Sequence, residues 1–402
     1  MTDLETQCCI AGGGPAGLML GYLLARQGVD VVVLEKHADF LRDFRGDTVH
    51  PSTLQLFNEL GYLDELLTLP HQKTERIKVT VSGQEFSLAD FTQLNVPAPY
   101  IAMMPQWDLL DFIARKARKL SNFKLLQSTE ATGLIENGGR VGGITAIGAG
   151  GPVNIRADLC VAADGRNSCL RAASKLPLKD IGAPIDVFWF RLPRQDGNNS
   201  ESMGTANASG FLVQINRGEY WQCALPFLKG SADHIRLDGL AAFKTRIAAI
   251  KPQLTADVAA LKSWDDVKLL TVQVNRLTRW YKDGLLCIGD AAHAMSPIGG
   301  VGINLAVQDA AAAARILGPV FSRGRPEIRN LKAVQDRRER AARITQAIQI
   351  TAHKRVLVPA LNAGKHLDPP KILKVINRFP QIQGLLARAI GMGLQPEHWQ
   401  DK

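Results

Sequence analysis

The stretch Cys8-Cys9-Ile10-Ala11-Gly12-Gly13-Gly14-Pro15-Ala16-Gly17 carries an apolar segment straight into a G-x-G-x-x-G turn. The apolar part predicts a buried strand over residues 8–11. Helical periodicity follows over 18–27, Gly28 supplies the stop, and Val31-Val32-Val33-Leu34 predicts a second buried strand that ends at Glu35. Strand, tight turn, helix and strand form the parallel unit that opens a doubly wound sheet. The glycines Gly12, Gly14 and Gly17 allow a tight turn, close approach of backbone to a pyrophosphate, and close packing of helix on strand. Around Pro15 and Ala16 the helix offers free N–H groups and a partial positive charge to phosphate. Glu35 stands 21 residues after Gly14 (35 − 14), where an acid reaches ribose hydroxyls. These residues predict a dinucleotide site and leave open which dinucleotide fills it.

The chain has 402 residues, 46% of them hydrophobic, enough for two domains with packed cores. Its formal charge of +10 is scattered, with a mild basic cluster over 323–343. No zinc-ligand spacing and no interleaved basic and aromatic run accompanies that charge. It therefore points to anionic cofactors rather than nucleic acid, and no metal is expected. The six cysteines form no C-x-x-C pair and read as reduced residues of a cytoplasmic protein. The amino terminus enters a strand at once, which leaves no room for a signal peptide. No apolar run reaches the roughly 18–20 residues that span a bilayer, so stable membrane insertion is not expected. The segment 378–394 is basic and partly amphipathic, a composition that can touch a membrane surface.

Further along, helices are predicted over 52–60 and 108–120, and a hairpin over 77–82 and 85–88 turning at Gly83. Short antiparallel strands are predicted over 124–126, 132–136, 141–146 and 153–155, then a buried strand over 159–162. Extended segments over 187–192, 211–216 and 220–226 precede a helix over 237–249, and the Gly-, Asn- and Ser-rich segment 196–209 reads as a mobile loop. A buried strand over 285–288 and an Ala-rich helix over 304–317 return to the opening texture. The expected fold is α/β: a doubly wound Rossmann-like domain (1–70, 99–180, 271–345) interleaved with a β-rich substrate domain (71–98, 181–270), followed by a helical region (346–402).

Two further motifs narrow the dinucleotide. Ala162-Ala163-Asp164-Gly165-Arg166-Asn167-Ser168, with Arg171 after it, resembles the Asp-Gly motif of the flavoprotein aromatic hydroxylases (class A flavoprotein monooxygenases, to which para-hydroxybenzoate hydroxylase belongs). Gly289-Asp290-Ala291-Ala292-His293, then Pro297, Gly300-Val301-Gly302-Ile303-Asn304 and Asp309, resembles their Gly-Asp motif. The order and spacing of all three motifs match that family over about residues 5–345. The resemblance implies FAD as cofactor, NADPH or NADH as a transient co-substrate, and hydroxylation of an aromatic or polycyclic molecule through a flavin C4a-hydroperoxide. It maps Arg45 and Gln106 onto FAD contacts and leaves Asp164 between FAD and nicotinamide binding. Asp290 ends a strand beside the nucleotide crevice, where it can accept a ribityl or ribose hydroxyl. Gly300 and Gly302 leave room for a flat ring, and the helix from Asn304 points its positive end at it. His293 reads as a loop-structuring residue, and His50 as a capping or surface residue, with a place near the active site as the alternative.

The chemistry is carried by the flavin, so no side chain is assigned as catalytic. Phe188, Phe190, Phe211, Val213, Trp221 and Phe227 are candidates for a flat apolar pocket for a small aromatic substrate, with dioxygen as the other reactant. A flavin-dependent halogenase would show W-x-W-x-I-P, which none of the six tryptophans forms. The alternatives are a flavin dehydrogenase or reductase that inserts no oxygen, and a non-enzymatic FAD-binding protein.

Overall fold

The computed structural model describes residues 2–41, 48–194, 202–362 and 367–400. Its main sheet is built on two long neighbours, Thr2–Ala11 and Gly151–Ala162, which run parallel along their whole length. Val31–Leu34 and Phe123–Leu126 extend the sheet on one side, and Leu285–Cys287 and Tyr281–Lys282 on the other. The antiparallel strands Glu130–Asn137 and Arg140–Gly148 branch from the first half of Gly151–Ala162. The helices Pro15–Arg26 and Gly302–Phe321 pack together against this sheet and bury most of their residues. Such all-round burial explains why both are rich in Ala, Gly and Leu rather than strongly amphipathic.

A second sheet has seven strands in the order Lys268–Leu270, Ile185–Pro193, Tyr220–Leu228, Gly210–Asn216, Ser202–Asn207, Arg76–Val81, Gln84–Asp90. Chain from two separated parts of the sequence meets where Ser202–Asn207 pairs in parallel with Arg76–Val81. The helix Gly239–Ile250 covers one face. The opposite face turns toward the loop that precedes the Gly302–Phe321 helix, where Ile298 joins Trp189, Phe211 and Val213 in one apolar cluster.

Four expectations need correction. Phe123–Leu126 pairs in parallel with Val31–Leu34 as the next strand of the doubly wound sheet, not as part of an antiparallel set. The runs 153–155 and 159–162 are two ends of one strand, because parallel pairing with Thr2–Ala11 continues between them at Arg156 and Ala157, and Arg156 also pairs with Gly143. The helix expected over 237–249 begins two residues later, as Gly239–Ile250, because Gly239 with a φ of +89° separates it from a preceding helix, Ala232–Leu237, that ends at Leu237. Within 196–209, Ser202–Asn207 is a strand, held by pairing on both sides.

Candidate active site

The parallel strands end in register: Ala11 pairs with Leu34 and Ala162, and Ala162 with Cys287. Gly12, Glu35, Ala163-Asp164 and Ile288-Gly289 therefore leave the sheet along one edge, the edge at which doubly wound sheets bind ligands. Gly12 has a φ of +105°, and a Cβ there would strike the Ala163 carbonyl. A Cβ on Gly17 would strike the Gly12 carbonyl oxygen. Gly14 differs. It caps the first helix with an ordinary φ of −78°, and nothing lies within 4 Å of where its Cβ would stand. Glu35, almost fully buried, accepts hydrogen bonds from the Gly13 and His37 N–H groups, both at 3.0 Å.

Gly289 joins the two halves of the site. Its φ is +59°, and a Cβ there would stand 3.1 Å from Ala16 Cβ and 3.5 Å from Ala306 Cβ. The first turns of both long helices thus converge on it. Its N–H donates to Asp309 Oδ2 at 3.0 Å, the oxygen that also lies 2.6 Å from His293 Nε2. Arg338 Nε donates to the other oxygen at 3.1 Å. Burial pushes the Asp309 carboxyl up, but His293, Arg338 and the Gly289 N–H outweigh it and hold the group below its ordinary value. His293 is thereby engaged in fixing the loop.

Asp290 itself points outward to Arg166, whose Nη2 lies 3.1 Å from Oδ2. Arg171 braces the same corner, donating to Ala291 O at 3.1 Å and to Arg166 O at 2.5 Å. Among the described residues, two buried polar atoms at this corner have no hydrogen-bond partner: Asp164 Oδ1, an acceptor, and Arg166 Nη1, a donor. Buried polar groups are normally satisfied, so this pair marks where a ligand with hydroxyls and anionic oxygens belongs. With the open space beside Gly14 and two helix N-termini, the residues present fit a bound dinucleotide.

The loop from Ser296 to Gly300 is held from three sides. Gln349 Nε2 donates to Ser296 O at 3.0 Å and to Ile298 O at 2.9 Å, and His353 Nε2 lies 2.8 Å from Ser296 Oγ. Thr48 Oγ1 donates to Gly300 O at 2.7 Å, and His50 Nε2 lies 3.1 Å from the same oxygen. Asn304 Oδ1 accepts from Ser52 Oγ at 2.6 Å and Thr53 Oγ1 at 2.8 Å. His50 is fully buried, with Nδ1 at 3.0 Å from Ile390 O, so it is neither a surface residue nor a side-chain cap. Burial lowers its pKa to about 4, against the opposing pull of its carbonyl partners.

The structure gathers Gly12, Gly14, Pro15, Ala16, Gly17, Glu35, Asp164, Gly165, Gly289 and Asp290 at the sheet edge, and Pro297, Gly300, Gly302, Ile303 and Asn304 beside them. Gln106 opens the helix Gln106–Ala117, just after the strand Ile101–Met103 that pairs with Thr48–Val49. Arg45 lies outside the described residues.

The apolar candidates divide. Phe211 and Val213 are on the sheet face toward Ile298. Phe188, Phe190, Trp221 and Phe227 are on the other face, buried with Phe243 and Leu254 in the core beneath the Gly239–Ile250 helix. They pack the protein rather than line a pocket. Trp189, one residue out of phase with them, is the aromatic ring on the site-facing side.

A sequence model of the FAD binding domain matches residues 5–348. The chain is 31% identical to 6-methylpretetramide 4-monooxygenase of Streptomyces rimosus over 386 residues, covering 96% of this chain and 92% of that one. The chain belongs to the FAD-dependent aromatic hydroxylases. Solved structures share the fold of this hydroxylase: anhydrotetracycline hydroxylase OxyS from Streptomyces rimosus at a TM-score of 0.78, with 19% identity over 96% of this chain and 76% of that chain. Para-nitrophenol 4-monooxygenase PnpA from Pseudomonas putida gives 0.75, with 20% identity over 97% and 96%. The hydroxylase is thus a flavoprotein monooxygenase with FAD as its cofactor. Among the described residues no helix is long and apolar enough to cross a membrane.

Proposed function

We propose that this hydroxylase inserts one oxygen atom of dioxygen into a fused polycyclic aromatic substrate, with NADPH or NADH as reductant. The observation that carries the reading is the set of half-buried apolar side chains Trp189, Phe211 and Val213, which share a cluster with Ile298 on the sheet face turned to the Gly300 loop. Apolar and aromatic side chains on one face suit a flat ring system. Its 31% identical relative is named for a polycyclic substrate, 6-methylpretetramide.

FAD, once bound and reduced, supplies the activation of dioxygen. The protein's residues do the rest. Gly12, Gly14 and Gly17, with the first turn of Pro15–Arg26, seat the pyrophosphate, and Glu35 takes a ribose hydroxyl. Asp164, Arg166 and Asp290 supply the hydrogen bonds that the polar chain between ring and phosphate needs. The free N–H groups at the start of the Gly302–Phe321 helix would stabilise the negative charge that a reduced flavin carries. The apolar wall keeps water away from the reacting atoms. Residues 71–98 and 181–270 form the substrate side, and the other strands and long helices the cofactor side. The indole N–H of Trp189, buried and without a hydrogen-bond partner among the described residues, stands ready to donate to a substrate oxygen.

The test is aerobic oxidation of NADH and NADPH across a panel of phenols, quinolones and tetracyclic aromatics, with hydrogen peroxide quantified. A tetracyclic compound should accelerate oxidation with little peroxide and emerge heavier by one oxygen. Preference for a single-ring phenol overturns the substrate class; a reduced acceptor with no oxygenated product overturns the reaction.

A further inference from the structure

The C-terminal helices Lys371–Arg378 and Pro380–Gly391 pack at the Gln84–Asp90 end of the seven-stranded sheet, on the face that carries Val213 and Phe211. Each is docked by one side only. The first uses Leu373, in a cluster with Val81 and Phe86, and Asn377, whose Oδ1 accepts the Ser87 N–H at 2.9 Å. The second uses Ala387 and Ile390, packed with Phe91 and Met103.

The opposite side of the first helix carries Ile372, Val375 and, at its end, Phe379, exposed by 57%, 43% and 47%. Their spacing is i, i+3, i+7, so they form one stripe along the helix. Lys371, Lys374 and Arg378 repeat the same spacing one residue earlier and border that stripe. Leu385, 68% exposed, and Arg388 continue both characters onto the second helix. Between Asp368 and Glu397 there are four basic residues and no carboxylate. Among the described residues none of the four is held in an ion pair.

Single exposed apolar residues are ordinary, but an apolar stripe edged by a basic one is not. A protein partner would need matching acids around a complementary groove. A lipid surface needs only headgroup charge above and hydrocarbon below, and basic side chains with short apolar penetration are what it selects. We propose that this helix pair seats the hydroxylase reversibly on an anionic lipid surface. The face is joined to the active site: Ile390 O, on the second helix, lies 3.0 Å from His50 Nδ1, and His50 Nε2 lies 3.1 Å from Gly300 O. A poorly soluble ring system concentrated at such a surface would be met near the loop that frames the pocket.

The experiment is co-sedimentation of the FAD-loaded protein with vesicles of phosphatidylcholine alone, or of phosphatidylcholine and phosphatidylglycerol in equal parts. It is repeated with the double variant V375E/F379E and with Lys374→Gln. The exposed positions let the variants fold, which their flavin spectrum and circular dichroism verify. Expected is binding to the mixed vesicles only, weakening as salt rises. Lys374→Gln should lose about fivefold in partitioning, and the double variant about a hundredfold or more. No sedimentation with anionic vesicles at low salt, or equal sedimentation of parent and double variant, overturns the proposal. So does a concentration-dependent dimer of the parent in light scattering that V375E/F379E dissolves, which would assign the face to a second copy of the chain. Neither result bears on hydroxylation, which is read from its own product.

Discussion

Two substitutions in one turn separate folding from cofactor binding. In Gly14→Ala the new methyl meets nothing within 4 Å, and the residue's φ of −78° suits alanine. The entropy gained from losing a glycine, about 0.4–1 kcal/mol, is offset by alanine being a poorer helix cap than glycine. The cofactor-free variant should therefore unfold within about 1 kcal/mol of the parent. The methyl, however, occupies the approach to the pyrophosphate. Displacing a charge-assisted hydrogen bond costs about 1.5–3 kcal/mol, so FAD affinity should fall by about 10- to 150-fold. In Gly17→Ala the methyl drives into the Gly12 carbonyl, a backbone atom that cannot swing aside, and the cofactor-free protein itself should lose at least about 3 kcal/mol. Flavin fluorescence titration of the stripped protein gives the affinity, and urea unfolding without FAD gives the stability. If Gly14→Ala binds FAD like the parent, or unfolds as early as Gly17→Ala, the assignment of the open space beside Gly14 to the pyrophosphate is wrong.

The two faces of the substrate sheet should answer differently. Phe190→Ala, in the core beneath Gly239–Ile250, should cost about 3–5 kcal/mol with little change in KM. Val213→Phe should raise KM for the polycyclic substrate about tenfold or more at nearly parental stability, and the opposite pattern would reverse the faces. Arg338→Met takes the shared cation from two buried carboxylates, leaving Asp309 with His293 and Glu397 with Arg315 and Arg337, and should lower the stability read by urea unfolding by about 3–5 kcal/mol; a change under about 1 kcal/mol would mean the network carries no weight. Stability should also fall in acid. The His50 pKa is lowered from 6.5 to about 4, so between those values the unfolded chain binds more protons and stability rises with pH. Full protonation toward pH 4 should remove about 3 kcal/mol from this residue, and lowered His353 adds in the same direction. Urea unfolding over that range, compared with His50→Gln, checks it, and equal slopes for the two proteins would contradict it.

The cofactor side was readable because its residues obey local rules. Gly12 to Gly17 is a turn between an apolar run and a helix, and Gly289-Asp290 follows a buried strand, so each reveals itself within a few residues. The substrate wall was not readable for a physical reason. A strand's period of two separates Phe188 and Phe190 from Trp189, but does not say which face meets the cofactor. Here the more aromatic face packs under a helix. The loop supports were hidden for a different reason. Gln335, Arg338, Gln346, Gln349 and His353 share one stripe of the helix Ile328–Ala352. As sequence such a stripe reads as a solvated face, yet all five are buried and hold the segments 278–280, 294–298 and Asp309. The carboxylate of Glu397, which gathers Arg315, Arg337 and Arg338, lies far from any motif. His50 does precede the helix Pro51–Glu59, but its burial depends on the Gly300 loop and on Ile390, distant in sequence, and so is not legible locally.

The central claim is that an oxygen atom from dioxygen ends in the product. Turnover of a tetracyclic aromatic under isotopically heavy dioxygen in ordinary water, read by mass spectrometry, tests it directly. The apolar side chains facing the Gly300 loop, Trp189, Phe211 and Val213, predict one heavy oxygen atom per product molecule. Product oxygen that carries the isotopic signature of water, or NAD(P)H consumption with all the heavy oxygen recovered as hydrogen peroxide for every compound, would contradict it.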